Sequence, residues 1–195
     1  MTFLANWALF GFVFFGLFSP GPNVILLTAS GGRFGFRATI PHILGVALGV
    51  GVIAAATGLG IGALLLSYPT LSSVLKVAAS LWILWMAWGL WHAKPIKKGG
   101  TEKPFTFLQA VLFQWVNPKI WAVALSATAY VAMLPPVSQA SQMGLAFSGI
   151  NLGVCLFWTF AGTLLGRLLA TRFAWMIFMR IMAIALVLFS GLVFL

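Results

Sequence analysis

The sequence predicts an all-α integral membrane protein with six transmembrane helices, arranged as a 3+3 inverted repeat in which the first and fourth helices are broken. Of its 195 residues, 62% are hydrophobic and only 6% are charged, with 11 Lys and Arg and one acid, Glu102. Six apolar stretches could each cross a bilayer, and most of the cations lie in alternate loops between them. Because so few polar side chains cannot cover a soluble surface, a soluble or disordered chain is excluded.

The six spans follow from the length that a helix needs to cross the hydrocarbon core, about 20 apolar residues. Backbone groups in lipid must be bonded within their own segment, which favours helices. The predicted spans are Phe3–Thr28, Ile40–Leu66, Leu71–Trp91, Phe105–Met133, Ala140–Gly166 and Phe173–Phe194.

The loops between these spans differ in charge. Loops one, three and five hold Arg33 and Arg37, then Lys94, Lys97, Lys98 and Lys103, then Arg167 and Arg172. Loops two and four and both termini carry no cation. The positive-inside rule therefore places loops one, three and five in the cytoplasm and both termini outside. The basic loop, residues 93–104, divides the chain into a first three-helix half, residues 1–92, and a second half, residues 105–195.

Three helices per half is an odd number, so the two halves insert with opposite orientation, as in an inverted repeat. The first helix of each half is interrupted, by Ser19–Asn23 (SPGPN) and by Asn117–Lys119 (NPK). A glycine-rich helix follows each interruption. Its GxxxG pairs favour close helix packing or a sliding surface. The pairs are Gly45/Gly49, Gly58/Gly62, Gly149/Gly153 and Gly162/Gly166.

The first break is the sharpest local feature of the sequence. Pro20 and Pro22 remove two N–H donors, so carbonyls of the preceding turn lose their partners, and Gly21 tolerates backbone geometry closed to other residues. Asn23 adds an amide that both donates and accepts. One interpretation is a proline kink satisfied by neighbouring helices. The other is a substrate site formed by Ser19, Pro20, Gly21, Pro22 and Asn23, which the matching break in the second half favours.

The second break, Asn117-Pro118-Lys119, places a cation about 14 residues into an apolar run. The sequence offers no carboxylate within the membrane to pair with Lys119, which leaves a carbonyl, water, another subunit or an anionic ligand. Two interpretations remain open. Lys119 lines a substrate site together with Asn117 and Pro118, or it snorkels to the cytoplasmic surface.

His42 follows Pro41 at the start of the second span. Histidine titrates near neutral pH, so His42 is a candidate for proton coupling. The alternative role is that of a hydrogen-bonding residue at the membrane interface.

Several function classes are disfavoured by residue counts. With one Cys, two His and one acid, neither paired carboxylates nor an ordinary metal site can be assembled, and no cofactor is expected. Because apolar runs separate the cations, a nucleic-acid surface is also disfavoured. The remaining classes are a transporter of a small molecule and a non-transporting subunit or lipid-handling membrane protein. Broken helices in matching positions favour the transporter. A protein of either class could be a homo-oligomer.

The motifs also resemble a known family, the LysE/RhtB amino-acid exporters. The resemblance is carried by Phe14–Asn23 (FFGLFSPGPN), Gly32–Arg37 (GRFGFR), Gly45/Gly49, the lysine-rich loop, Phe105–Ala110 (FTFLQA) and Asn117–Lys119. It extends over essentially the whole chain, and the SPGPN run followed by GRFG is its most specific part. The resemblance implies a secondary transporter in the bacterial inner membrane that exports amino acids or close metabolites.

The branch most similar to this chain handles neutral substrates such as homoserine, threonine, cysteine or O-acetylserine. The cationic side chain of a lysine or arginine substrate would need a carboxylate partner in the site, and the sequence offers none within the membrane. On this hypothesis the substrate carboxylate meets the N-terminal end of a broken half-helix and Lys119. The substrate ammonium meets freed carbonyls near Ser19–Gly21 and the amides of Asn23 and Asn117. Rocking of one three-helix half against the other alternates access.

Overall fold

The computed structural model of the protein describes residues 6–62, 67–93, 102–169 and 171–192. Regular secondary structure in this part of the chain is helical, which agrees with the predicted fold class. The helices are α1 (Trp7–Phe18), α2 (Pro22–Phe34), α3 (Phe36–Gly58), α4 (Pro69–Trp91), α5 (Phe107–Val116), α6 (Pro118–Ala127), α7 (Pro136–Leu168) and α8 (Arg172–Leu192), with a 3-10 turn at Thr128–Tyr130.

Four of these helices are long and apolar enough to cross a membrane: α3, α4 from Ser73, α7, and α8 as far as Gly191. The pair α1 and α2 forms a fifth candidate, a broken span whose two parts are bent by 58°. The predicted fourth span instead consists of two ten-residue helices, α5 and α6, that meet at Asn117. The protein is therefore a multi-pass helical membrane protein, and the count of six spans stays a prediction.

The predicted first loop, residues 29–39, is wrong in its extent. Helix α2 continues to Phe34 and α3 already begins at Phe36, so Gly35 alone separates them. Gly35 has φ +83°, a conformation that L side chains rarely adopt, and this allows a reversal within one residue. Several predicted positions lie outside the described residues: Phe3, Leu66, Lys94, Lys97, Lys98 and Phe194.

Helix α2 lies at the centre of the molecule, because nearly all of its residues from Pro22 to Gly31 are buried. Leu27 belongs to an apolar core shared with α1, α3, α5, α6 and α7. Ile25, Leu26 and Ala29 face a second core formed with α4, α8 and Phe113 of α5. The end of the break that precedes α2 is therefore buried, at Gly21 and Pro22, whereas Ser19 and Pro20 are exposed.

Glycines let the helices of the two predicted halves approach each other. A Cβ on Gly162 of α7 would lie 2.1 Å from the Thr28 carbonyl oxygen of α2, and one on Gly45 of α3 would lie 2.3 Å from the Phe107 carbonyl oxygen of α5. The close packing predicted from the GxxxG pairs is confirmed for three of them. It is wrong for Gly149/Gly153, which have no atom within 4 Å of an added Cβ.

Four described cations of the predicted cytoplasmic loops lie at one end of the bundle: Arg33, Arg37, Lys103 and Arg167. Arg33 forms an ion pair with Glu102, Lys103 lines a cavity with Arg33, and Arg167 lines another with Arg37. This end is called the basic end below. At the opposite end, the Asn6 side chain donates to the Tyr130 carbonyl.

Candidate functional site

The two proline breaks meet in space. The Lys119 ammonium, at the start of α6, donates hydrogen bonds to the carbonyl oxygens of Ser19 and Pro20, the second at 3.3 Å. Ser19 and Pro20 lie between the end of α1 and the start of α2, so their carbonyls take no part in the hydrogen-bond ladder of either helix. The Lys119 ammonium therefore contacts the first break and does not extend toward the basic end, as snorkelling to the cytoplasmic surface would require.

The first break follows from the residues that end α1. The Ser19 N–H still bonds to the Phe15 carbonyl, and α2 then begins at Pro22. Gly21 has φ −179°, extended backbone that any residue adopts, so the expected need for unusual geometry there is wrong. What Gly21 supplies is space: a Cβ at this position would lie 2.7 Å from Lys119 Cδ and 3.0 Å from its Nζ.

The second break repeats this local pattern. Helix α5 ends at Val116, the Asn117 N–H bonds to the Gln114 carbonyl, and Pro118 begins α6. Neither α2 nor α6 receives a side-chain cap, and both begin with proline. The positive ends of two short helices therefore border the same region, an arrangement that favours a negatively charged ligand group.

A cluster of amides links the two breaks. Asn23 donates to Gln114 Oε1 at 2.8 Å and accepts from Gln114 Nε2 at 3.2 Å. Gln114 also donates to the Ala110 carbonyl at 2.9 Å and receives a 3.5 Å bond from Asn117 Nδ2. Gln114 and Asn117 are completely buried. The cluster fixes the orientation of the amides that face the site.

A small cavity adjoins these groups. Its lining includes Gly21, Asn23, Asn117 and Lys119 from the breaks and Asn151 from α7. Asn117 Oδ1 and Asn151 Nδ2 are both buried without a hydrogen-bond partner, so the cavity wall offers an unused acceptor and an unused donor. Its volume of about 10 Å³ is the room that one water molecule needs. The cavity is therefore too small for an amino acid, and a ligand of that size requires it to widen.

The remaining wall of this cavity is apolar, formed by Leu17, Val24, Leu27, Ile120 and Val154 together with Cys155 and Trp158. The only acidic side chain of the sequence, Glu102, is paired with Arg33 at the basic end. The site thus combines one cation, backbone carbonyls and amides without a carboxylate.

His42 lies apart from this site. It is 2% exposed, stacks near Phe105 with ring centroids 5.2 Å apart, and its Nδ1 has no partner. It lines a second cavity, at the basic end, together with Arg33 and Lys103. His42 is therefore buried within the protein.

Two residues of the site are missed by the sequence reasoning. Gln114 and Asn151 are isolated amides within apolar runs. Each is a polar side chain in a predicted span, and that is the signal that could have marked them. Their partners are set by tertiary packing and leave no trace in local sequence.

Comparison with known proteins identifies the family. The model of the family described as LysE type translocator matches residues 14–195, beginning where the FFGLFSPGPN motif begins. Proteins called cysteine/O-acetylserine efflux protein from Escherichia coli (strain K12), Shigella flexneri serotype 5b and Shigella sonnei are each 31% identical over 158 residues, covering 77% of this chain and 78% of theirs.

No solved structure matches this chain. The matched residues contain both breaks, the amide cluster and the basic end, and the resemblance predicted from the sequence is confirmed. The chain belongs to the LysE type translocator family, and it is a multi-pass membrane transporter rather than an enzyme.

Proposed function

We propose that the protein exports neutral amino acids or close metabolites, such as cysteine or O-acetylserine, across the bacterial inner membrane as a secondary transporter. The observation that carries this function is the Lys119 ammonium on the Ser19 and Pro20 carbonyls. Because these two carbonyls accept hydrogen bonds from the ammonium of Lys119, they can also accept them from the ammonium of a substrate. The efflux relatives support an amino-acid substrate.

In the proposed mechanism, the substrate exchanges with Lys119. The substrate ammonium donates hydrogen bonds to the carbonyls of Ser19 and Pro20 in place of Lys119. The released Lys119 ammonium then pairs with the substrate carboxylate beside the start of α2. Asn117 Oδ1 and Asn151 Nδ2 supply the remaining acceptor and donor. Every charged group keeps a partner during the exchange, which matters in a medium where an unpaired charge is costly.

The same chemistry favours neutral over basic side chains. Lys119 contributes a positive charge, and the site has no carboxylate to hold a second cation. The side chain of the substrate would lie against Leu27, Ile120 and Val154, which suits a small, uncharged group.

The proposed architecture is the six-helix 3+3 repeat, with residues 1–92 and 105–195 as halves joined by the basic loop 93–104. Its support is the paired breaks, at α1–α2 and α5–α6, each followed by a helix that begins with proline. Rocking or sliding would occur at the glycine contacts between the halves, such as Gly162 against Thr28. By the positive-inside rule, the basic end faces the cytoplasm and both termini face outward.

His42 is proposed to couple export to protons. It is the buried titratable group that lines the cavity at the basic end, where Arg33 and Lys103 face it.

The function is tested with purified protein in proteoliposomes preloaded with a panel of amino acids, with and without a proton gradient. We expect efflux of cysteine and O-acetylserine, slower or no efflux of lysine and arginine, and acceleration by the gradient. Efflux of lysine in preference to every neutral amino acid would contradict the substrate class. Failure of every amino acid to leave protein-containing vesicles faster than empty ones would contradict export itself.

A further inference from the structure

The cavity at the basic end differs from the small site at the breaks. Its volume is about 230 Å³, more than twenty times that of the cavity at the breaks, and it lies between α2, α3, α4 and the segment that leads into α5. The polar part of its lining is Ser30, Arg33, His42 and Lys103. Trp85 and Phe105 are among the apolar side chains of its wall. A small amino acid fits this volume without rearrangement.

Two residues that line this cavity carry a nitrogen atom without a hydrogen-bond partner. These atoms are His42 Nδ1 and Arg33 Nε, and His42 is almost completely enclosed. Ser30 already shares a hydrogen bond with Thr39. The Arg33 guanidinium can only donate and a histidine ring carries at least one N–H, so these two residues suit a ligand with acceptor oxygens.

Glu102 indicates which acceptor the guanidinium takes. The only acidic side chain of the sequence binds Arg33 Nη2, and it does so from an exposed position. A carboxylate therefore already occupies one face of the guanidinium. Because arginine binds carboxylates with matched, paired hydrogen bonds, a second carboxylate inside the cavity would compete with Glu102 for the same group.

We infer that this cavity is a first binding site for the carboxylate of the outgoing amino acid, with Arg33 and His42 as its donors and Glu102 as a built-in competitor. The inference presupposes that the protein exports amino acids and that the basic end faces the cytoplasm. Each end of the substrate then has an internal counterpart, Glu102 for its carboxylate and Lys119 for its ammonium. The substrate displaces Glu102 first, at the basic end, and Lys119 second, at the breaks.

Opposite effects of two substitutions test this site. Uptake of O-acetylserine into inside-out vesicles presents the basic end to the added substrate. We expect Arg33→Gln to raise the half-saturation concentration about tenfold, the worth of one charged hydrogen bond. Glu102→Gln removes the competitor and is expected to lower the half-saturation concentration.

A purely structural ion pair predicts that both substitutions weaken transport, and that result would overturn the inference even if Arg33→Gln folds poorly. Arg167→Gln, at the same end but in another cavity, is the matched control and is expected to behave as wild type.

Small anions and cations separate a carboxylate site from a general anion site. Acetate is expected to compete with O-acetylserine in the wild type but not in Arg33→Gln, whereas ethylammonium should not act through Arg33. Competition by sulfate but not by acetate would assign the cavity to inorganic anions and overturn the inference. If wild-type vesicles take up no amino acid, export itself fails. If they do, with half-saturation unchanged in both variants, this site alone fails.

Discussion

The Lys119 ammonium lies on the backbone carbonyl of Ser19, a residue 100 positions earlier in the chain. The bond joins the two proline breaks directly, and the cavity beside it has about the size of one water molecule. In the proposed mechanism the substrate ammonium takes the place of the Lys119 ammonium, so substrate binding and widening of the cavity are one event.

Gly21→Ala is expected to displace Lys119 without unfolding the protein. The added Cβ would lie 2.7 Å from Lys119 Cδ, and the end of a flexible side chain can move away. We expect greater reactivity of Lys119 toward an amine-modifying reagent, read by mass spectrometry, and about tenfold slower efflux, the loss expected for one hydrogen bond. Gly11→Ala, whose Cβ would meet no atom within 4 Å, is the control. Equal reactivity in both variants would contradict the contact.

Removing one partner of the amide pair should cost more than removing both. Gln114→Leu leaves the half-buried amide of Asn23 and the buried Nδ2 of Asn117 without their partner, with an expected loss of about 1–3 kcal/mol in the free energy of unfolding. The double substitution Asn23→Leu/Gln114→Leu is expected to recover part of that stability but not efflux. Thermal unfolding in detergent and efflux measured on the same preparations separate the two effects. Full recovery of efflux by the double variant would exclude the amides from the site.

The close approach of α2 and α7 predicts a position-specific effect of alanine. Gly162→Ala forces its Cβ against the Thr28 carbonyl, and we expect a loss of about 1–3 kcal/mol, as for overpacking in a core. Gly153→Ala on the same helix meets no atom within 4 Å and should be neutral or slightly stabilising, because alanine favours helix. Thermal unfolding midpoints of the two variants test this prediction. Equal midpoints would contradict the close contact between Gly162 and the Thr28 carbonyl.

Proton coupling is expected to depend on His42. His42→Gln keeps an N–H donor in the cavity but cannot take up a proton, so efflux down the substrate gradient should continue while its acceleration by a proton gradient is lost. His92→Gln is the control, since His92 is exposed and does not line this cavity. Undiminished acceleration in His42→Gln would remove His42 from the coupling.

The sequence was sufficient to predict what prolines, glycines and charges determine locally. The breaks at Pro20–Pro22 and Pro118, and the grouping of described loop cations at one end, could be predicted because missing donors and the positive-inside rule act through the chain itself. The partner of Lys119 and the amide pair of Gln114 could not, because contacts between distant helices determine them. Gly21 shows the difference: its backbone is ordinary, and its small size matters only once Lys119 lies beside it.

Efflux by Lys119→Met is the most direct measurement of the central claim. The variant keeps an unbranched side chain one atom shorter and removes the ammonium. Lys76→Met, on the exposed face of α4, is its charge-matched control. At equal reconstituted amounts, we expect Lys119→Met to export O-acetylserine at least about tenfold more slowly than wild type, as for the loss of a charge-assisted hydrogen bond. Lys76→Met should match wild type. Wild-type rates and substrate preference in Lys119→Met would contradict a binding site at the meeting of the two breaks.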